Sequence, residues 1–127
     1  MRKLVVLATL LLALSGLLLT FAQLTDPQAG ARKAVALAHI WVGVAYLVIF
    51  PLYAWDHIRT NRRWLTVLRA LTVSGLTQLT GGIVLLATGL VLLAYGGAFL
   101  RGVRDVHLWA TYPLVAALAW HWLSPKR

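Results

Sequence analysis

Four histidines carry most of the chemistry this chain can offer. His39 and His57 bracket one long apolar run and His107 and His121 bracket another; the only charge inside either run is Asp56, beside His57. Imidazole changes protonation near neutral pH and, when neutral, is a common metal ligand. Helices of membrane length with an imidazole near each end suit metal held at two depths of a bilayer, and hence electron transfer. Other chemistries are poorly supplied. With no cysteine, the chain has no disulfides, thiolate metal sites or cysteine-ligated clusters. Asp26, Asp56 and Asp105 are the only acids, and none pairs with another carboxylate at helical spacing. The sequence contains no Gly-x-Ser-x-Gly, phosphate-binding loop or His-Glu-x-x-His.

The histidines fall on regular stripes. His39, Gly43, Tyr46, Phe50, Tyr53 and His57 follow steps of four and three, so both histidines of this run face the same way. Eighteen residues at 1.5 Å per residue separate them by about 27 Å, close to the hydrocarbon thickness. His107, Thr111, Leu114, Leu118 and His121 repeat the pattern over fourteen residues, about 21 Å. Thr111 is placed either to support the His107 ring or to bond back to its own helix.

These stripes need helices, and the composition says in which solvent. The 127 residues are 61% hydrophobic and 12% charged, where soluble domains run at roughly 45–50% and about 25%. The pattern predicts an all-α membrane protein, a single domain over 1–127, with helices at about 4–24, 34–55, 71–95 and 106–123. Each run meets the roughly 20 residues needed to cross a bilayer. The start resembles a secretory signal, with Thr20-Phe21-Ala22 as a weak cleavage site, but its apolar run is longer than a signal core and reads as a retained first helix.

A net charge of +9 in a soluble protein would suggest nucleic acid. Here the basic residues lie in the gaps between apolar runs, so no nucleic-acid site is read. With the N-terminus inside, Arg2, Lys3, Arg59, Arg62, Arg63, Arg69, Lys126 and Arg127 are cytoplasmic and Arg32, Lys33, Arg101 and Arg104 lie opposite. That bias predicts both termini cytoplasmic. Arg59, Arg62 and Arg63 suit anionic lipid headgroups or cofactor propionates, and Trp41, Trp55, Trp109, Trp120 and Trp122 suit the interfacial belts.

Gly75, Gly82, Gly89 and Gly96 recur at intervals of seven in the third run and share one face. Such a groove serves close helix packing or clearance for a flat macrocycle. A faint duplication also shows: Ser15-Gly16-Leu17 is echoed by Thr88-Gly89-Leu90, and His39-Ile-Trp41 by His107-Leu-Trp109. Two similar helical hairpins would pack as a four-helix bundle, with His39 and His107 near one surface and His57 and His121 near the other. Two imidazoles from facing helices complete the coordination of a haem iron.

On these motifs the chain resembles the bacterial membrane b-type cytochromes with a four-helix bundle, a group that includes cytochrome b561-like proteins and the haem-bearing subunits of respiratory oxidoreductases. The resemblance implies a multi-pass protein of the bacterial inner membrane, an electron-transfer subunit rather than a complete enzyme. It further implies one or two haem b groups, quinone as one redox partner and a second protein or larger respiratory complex as the other. Carried onto this sequence, His39/His107 and His57/His121 are the iron ligands, with Gly16, Gly43, Gly82 and Gly89 giving the cofactor room. His107 and His121 have the ligand spacing typical of the group. The second helix departs from it: fourteen residues beyond His39 lies Tyr53, and His57 follows one turn later. With the outer pair level, His57 would sit about 6 Å below His121, a gap that a kink at Pro51 would narrow. Two other readings stand beside this one: a cofactor-free accessory subunit of a membrane complex, and a small transporter or proton path with histidine relays, which lacks intramembrane carboxylates and matched broken helices.

Overall fold

Runs of Leu and Ala favour helix, which continues even through the adjacent Gly81 and Gly82. In the computed structural model, which describes residues 1–25, 29–64, 67, 69–96 and 100–124, four long helices form: α1 (Arg2–Thr25), α2 (Ala29–Asn61), α3 (Ala70–Tyr95) and α4 (Arg101–Leu123). One 3-10 turn, Arg62–Trp64, follows α2. No strand occurs among the described residues. The expected all-α class with four helices is observed. Each element extends beyond the predicted bounds, α2 most of all, because Arg and Lys near the helix ends are good helix formers that apolar length alone does not count. Lys126 and Arg127 lie outside the described residues.

Three helices are long and apolar enough to cross a membrane: Arg2–Phe21, Gly30–Asn61 and Ala70–Tyr95. In α4, Arg101, Arg104, Asp105, both histidines and three tryptophans lower the mean hydropathy. α3 begins at Arg69, which is extended and offers no side-chain cap. It stops at Gly96, whose φ of 79° suits a residue without Cβ and whose N–H closes the last turn on Leu92 O.

The chain divides into two compact units, residues 1–49 and 50–127, with α2 contributing to both. In the first, α1 and the start of α2 run antiparallel. Val5, Thr9 and Tyr46 are its buried residues. Thr9 Oγ1 donates its proton to Val5 O at 2.8 Å, so the Tyr46 hydroxyl donates to Thr9 Oγ1 at 3.0 Å.

In the second unit α3 and α4 are antiparallel in steady register. Thr88 meets His107, Gly81 meets Leu114, Gln78 reaches Ala117 O and Ser74 meets His121, equal steps along one helix and back along the other. Phe50, Ser74, Gly82, Leu114 and Ala117 are its buried residues among those described. The outward faces are apolar: Leu14, Val48, Leu52, Ile83 and Leu93 are all exposed. Between helices in lipid the hydrophobic drive is weak, and close packing and hydrogen bonds carry the association.

Gly82 shows this best, since a Cβ there would overlap the Phe50 ring. Phe50 is only 7% exposed and has no room to retreat. Gly82→Ala should therefore cost about 1–3 kcal/mol, seen as a lower unfolding midpoint in detergent and partly recovered by adding Phe50→Leu. Gly75→Ala, with nothing within 4 Å of its Cβ, is the control; an equal loss in both would refute the packing role.

Candidate functional site

The histidine stripes face inward as the spacing predicts. Along α2, His39, Gly43, Tyr46, Phe50, Tyr53 and His57 are buried or half-buried while Trp41, Val48, Leu52 and Trp55 are exposed. Along α4 the same holds for His107, Thr111, Leu114, Leu118 and His121 against Trp109, Trp120 and Trp122.

Three histidines are held in one way. His39 Nδ1 lies 2.7 Å from Ser15 Oγ, His107 Nδ1 lies 2.7 Å from Thr88 Oγ1, and His121 Nδ1 lies 3.0 Å from Ser74 Oγ. Each hydroxyl also donates backward to its own helix: Ser15 to Leu11 O at 2.7 Å, Thr88 to Val84 O at 2.7 Å, and Ser74 to Leu71 O at 3.0 Å. A hydroxyl has a single proton. Where a helix carbonyl takes it, the oxygen accepts and the imidazole donates from Nδ1–H, the arrangement in which both short contacts are satisfied. The neutral ring then keeps its lone pair on Nε2. This is the usual support of a metal-ligating histidine, where the nitrogen away from the metal donates to a fixed acceptor.

The residue after the hydroxyl makes room for the ring. A Cβ on Gly16 would lie 3.3 Å from His39 Cε1, and one on Gly89 would lie 3.4 Å from His107 Cε1. The Ser/Thr-Gly pair is thus one device: a hydroxyl to hold the ring and a gap beside it. The other sequence-predicted glycines do different things. Gly43 makes ordinary contact with Leu12, Gly82 receives Phe50, and Gly96 ends α3.

His57 is held differently. Its Nδ1 lies 3.5 Å from the Asn61 side-chain nitrogen on its own helix, and that amide bonds well only to His57 O, at 2.9 Å. Its ring stacks on Tyr53 at 5.5 Å between centroids, with planes 21° apart. It also faces His121, with ring centroids 6.3 Å apart and planes at 71°. The one-turn excess on α2 therefore does not keep these two rings apart. His39 belongs to the first unit and His107 to the second.

Among the described residues no three His, Cys, Asp or Glu side chains gather as a metal site. A metal with only protein ligands is poorly served by two imidazoles. They are the right complement for a metal whose other ligands come from a macrocycle. A metal about 2 Å from one nitrogen of each ring sets the ring centres roughly 6 Å apart, which is the separation of His57 and His121. Ligation leaves each ring free to rotate about its own bond, so crossed planes are compatible with it.

Sequence reasoning overlooked Ser74 and gave Ser15 and Thr88 no role. Thr111, one of whose two readings was support for His107, instead donates to His107 O at 3.1 Å. The available signal was the pairing of a Ser/Thr-Gly step on one helix with His-x-Trp on the next. Compared with family models, curated proteins and solved structures, the chain matches none.

If Thr88 sets the tautomer of His107, Thr88→Val should lower the Nδ1–H fraction several-fold, the equivalent of about 1 kcal/mol. Thr88→Ser should preserve it. Side-chain 15N spectra of histidine-labelled protein read this directly, and an unchanged ring in Thr88→Val would refute the assignment.

Proposed function

We propose that the chain is a membrane b-type cytochrome subunit that passes electrons through one or two bis-histidine haems between the quinone pool and a partner redox protein. The observation that carries this reading is the common support of His39, His107 and His121, each with Nδ1 within hydrogen-bond distance of a hydroxyl on another helix, the hold a histidine ligating through Nε2 would need. Support also comes from the approach of His57 and His121 at a separation suited to one iron between them.

Haem, when bound, supplies a reversible one-electron couple. The residues bind it, orient it and keep water away. Ser15, Thr88 and Ser74 fix ring orientation and raise ligand basicity through their Nδ1 bonds. Gly16 and Gly89 let those rings lie against α1 and α3. Phe50 and Leu114 are buried in the second unit and exclude solvent there.

The proposed setting is the inner membrane of a bacterium. Three membrane-length helices and an apolar exterior support it, and α4, with its tryptophans at both ends, is proposed as the fourth span. Two similar hairpins with both termini cytoplasmic follow from the motif echo and the bias of Arg and Lys. The test is a reduced-minus-oxidised spectrum with haem quantitation on the full chain. Wild type should show a haem b spectrum, and His39→Ala, His107→Ala and His121→Ala should each lose haem. Ser74→Ala and Thr88→Ala should weaken retention about 10-fold or more. A stable, folded, haem-free wild type would overturn the proposal and leave an accessory subunit.

A further inference from the structure

The two histidines of the second unit that face each other are unequal, and the inequality has a chemical consequence. His121 is supported from another helix: Ser74, 5% exposed, accepts from its Nδ1, having given its own proton to Leu71 O. That arrangement favours Nδ1–H and a ligating Nε2. On His57 the hydrogen-bond partner of Nδ1 among the described residues is the Asn61 amide nitrogen on its own helix, at 3.5 Å. An amide nitrogen can only donate. Whatever hydrogen bond it makes to Nδ1 consumes the lone pair there and puts the ring proton on Nε2, the tautomer that does not ligate. Asn61 is itself fixed by its bond to His57 O.

Three further features make the His57 ring easier to displace. It has a resting place, stacked on Tyr53. It lies one turn from the end of α2, where the chain passes into a 3-10 turn, and helix ends open more readily than their interiors. It also follows Pro51, which removes a backbone hydrogen bond just upstream.

Resting on the cytochrome reading above, we infer that His57 is the exchangeable ligand of this pair and that a small neutral ligand of ferrous iron, with the size and chemistry of carbon monoxide or nitric oxide, takes its place while His121 remains. With carbon monoxide, the bond from iron to His57 Nε2 breaks and an iron–carbon bond forms at the same position. No electron is gained or lost; the released imidazole would give its Nδ1 proton to water, take one from water at Nε2, and return to Tyr53 in the Nε2–H tautomer that Asn61 favours. The site thereby becomes a gas-responsive centre as well as a conduit.

The full chain, reduced with dithionite in lipid nanodiscs, is titrated with carbon monoxide and followed by absorbance, with haem content measured in parallel. Wild type should bind carbon monoxide. His57→Ala, still loaded through His121, should bind at least about 10-fold more tightly, and Asn61→Leu, which removes the opposing donor, about 10-fold more weakly. An independent readout on the haem-free full chain is the 15N tautomer state: Nδ1–H at His121 and Nε2–H at His57. Haem present with no carbon monoxide binding, or with the same affinity in wild type and His57→Ala, overturns this inference alone. Identical tautomers at the two rings also overturn it. Absence of haem from folded wild type overturns the cytochrome reading and this inference with it.

Discussion

A hydroxyl with one proton, placed between a helix carbonyl and an imidazole, is the constraint on which the rest of this structure turns. Ser15, Thr88 and Ser74 each meet a carbonyl of their own helix and a histidine Nδ1. The carbonyl cannot donate, so the direction of both bonds follows. From that direction come the tautomer and the orientation of the ring. In hydrocarbon the alternative is an unsatisfied polar group, which costs several kcal/mol. The same pairs that orient the imidazoles therefore also join one helix to another.

Within a bilayer, an apolar exterior would give the helices little reason to associate through hydrophobicity alone. Contacts that depend on shape take over. Gly82 receives Phe50, and Leu114 lies close against Gly81. Gln78 spends its amide on Ala117 O, which tethers α3 to α4 at mid-helix. Near that level Pro113 has already removed one rung from the hydrogen-bond ladder of α4. The register between α3 and α4 is set by these few contacts and delivers Thr88 and Ser74 to the two histidines of α4.

Much of this was legible in the sequence, and the gaps have physical causes. Apolar length and the four-three spacing of His39 to His57 and of His107 to His121 were enough to give the helices and their inward faces, because helical geometry maps spacing directly onto direction. The partners of the histidines were not legible in the same way. Ser74 lies 47 residues from His121, and although Ser74-Gly75-Leu76 repeats the Ser15-Gly16-Leu17 step, His121 begins no His-x-Trp to say which ring it meets. Thr111 was visible precisely because it is local, and it makes only the local bond. The heptad of glycines suggested one groove, yet position decides the outcome: Gly82 faces a phenyl ring, Gly89 an imidazole, Gly75 open space, and Gly96 closes a helix.

The two halves of the chain share a device and then part. Ser15 and Thr88 hold their histidines at the same 2.7 Å and back-bond at the same 2.7 Å, so the motif echo is matched by matching geometry. Extended by the same offsets, the counterpart of His121 on α2 is Tyr53 and the counterpart of Ser74 is Met1. The first half therefore lacks both members of the second hydroxyl–imidazole pair. His57 stands one turn past the vacated position, and Tyr53 stacks on it. A histidine without an inherited hydroxyl must take its polar partner from its own helix, and Asn61 is a donor. The different hold on His57 thus follows from where the repeat stops matching, and the structural result is a pair with one imidazole held from a neighbouring helix and one held from its own.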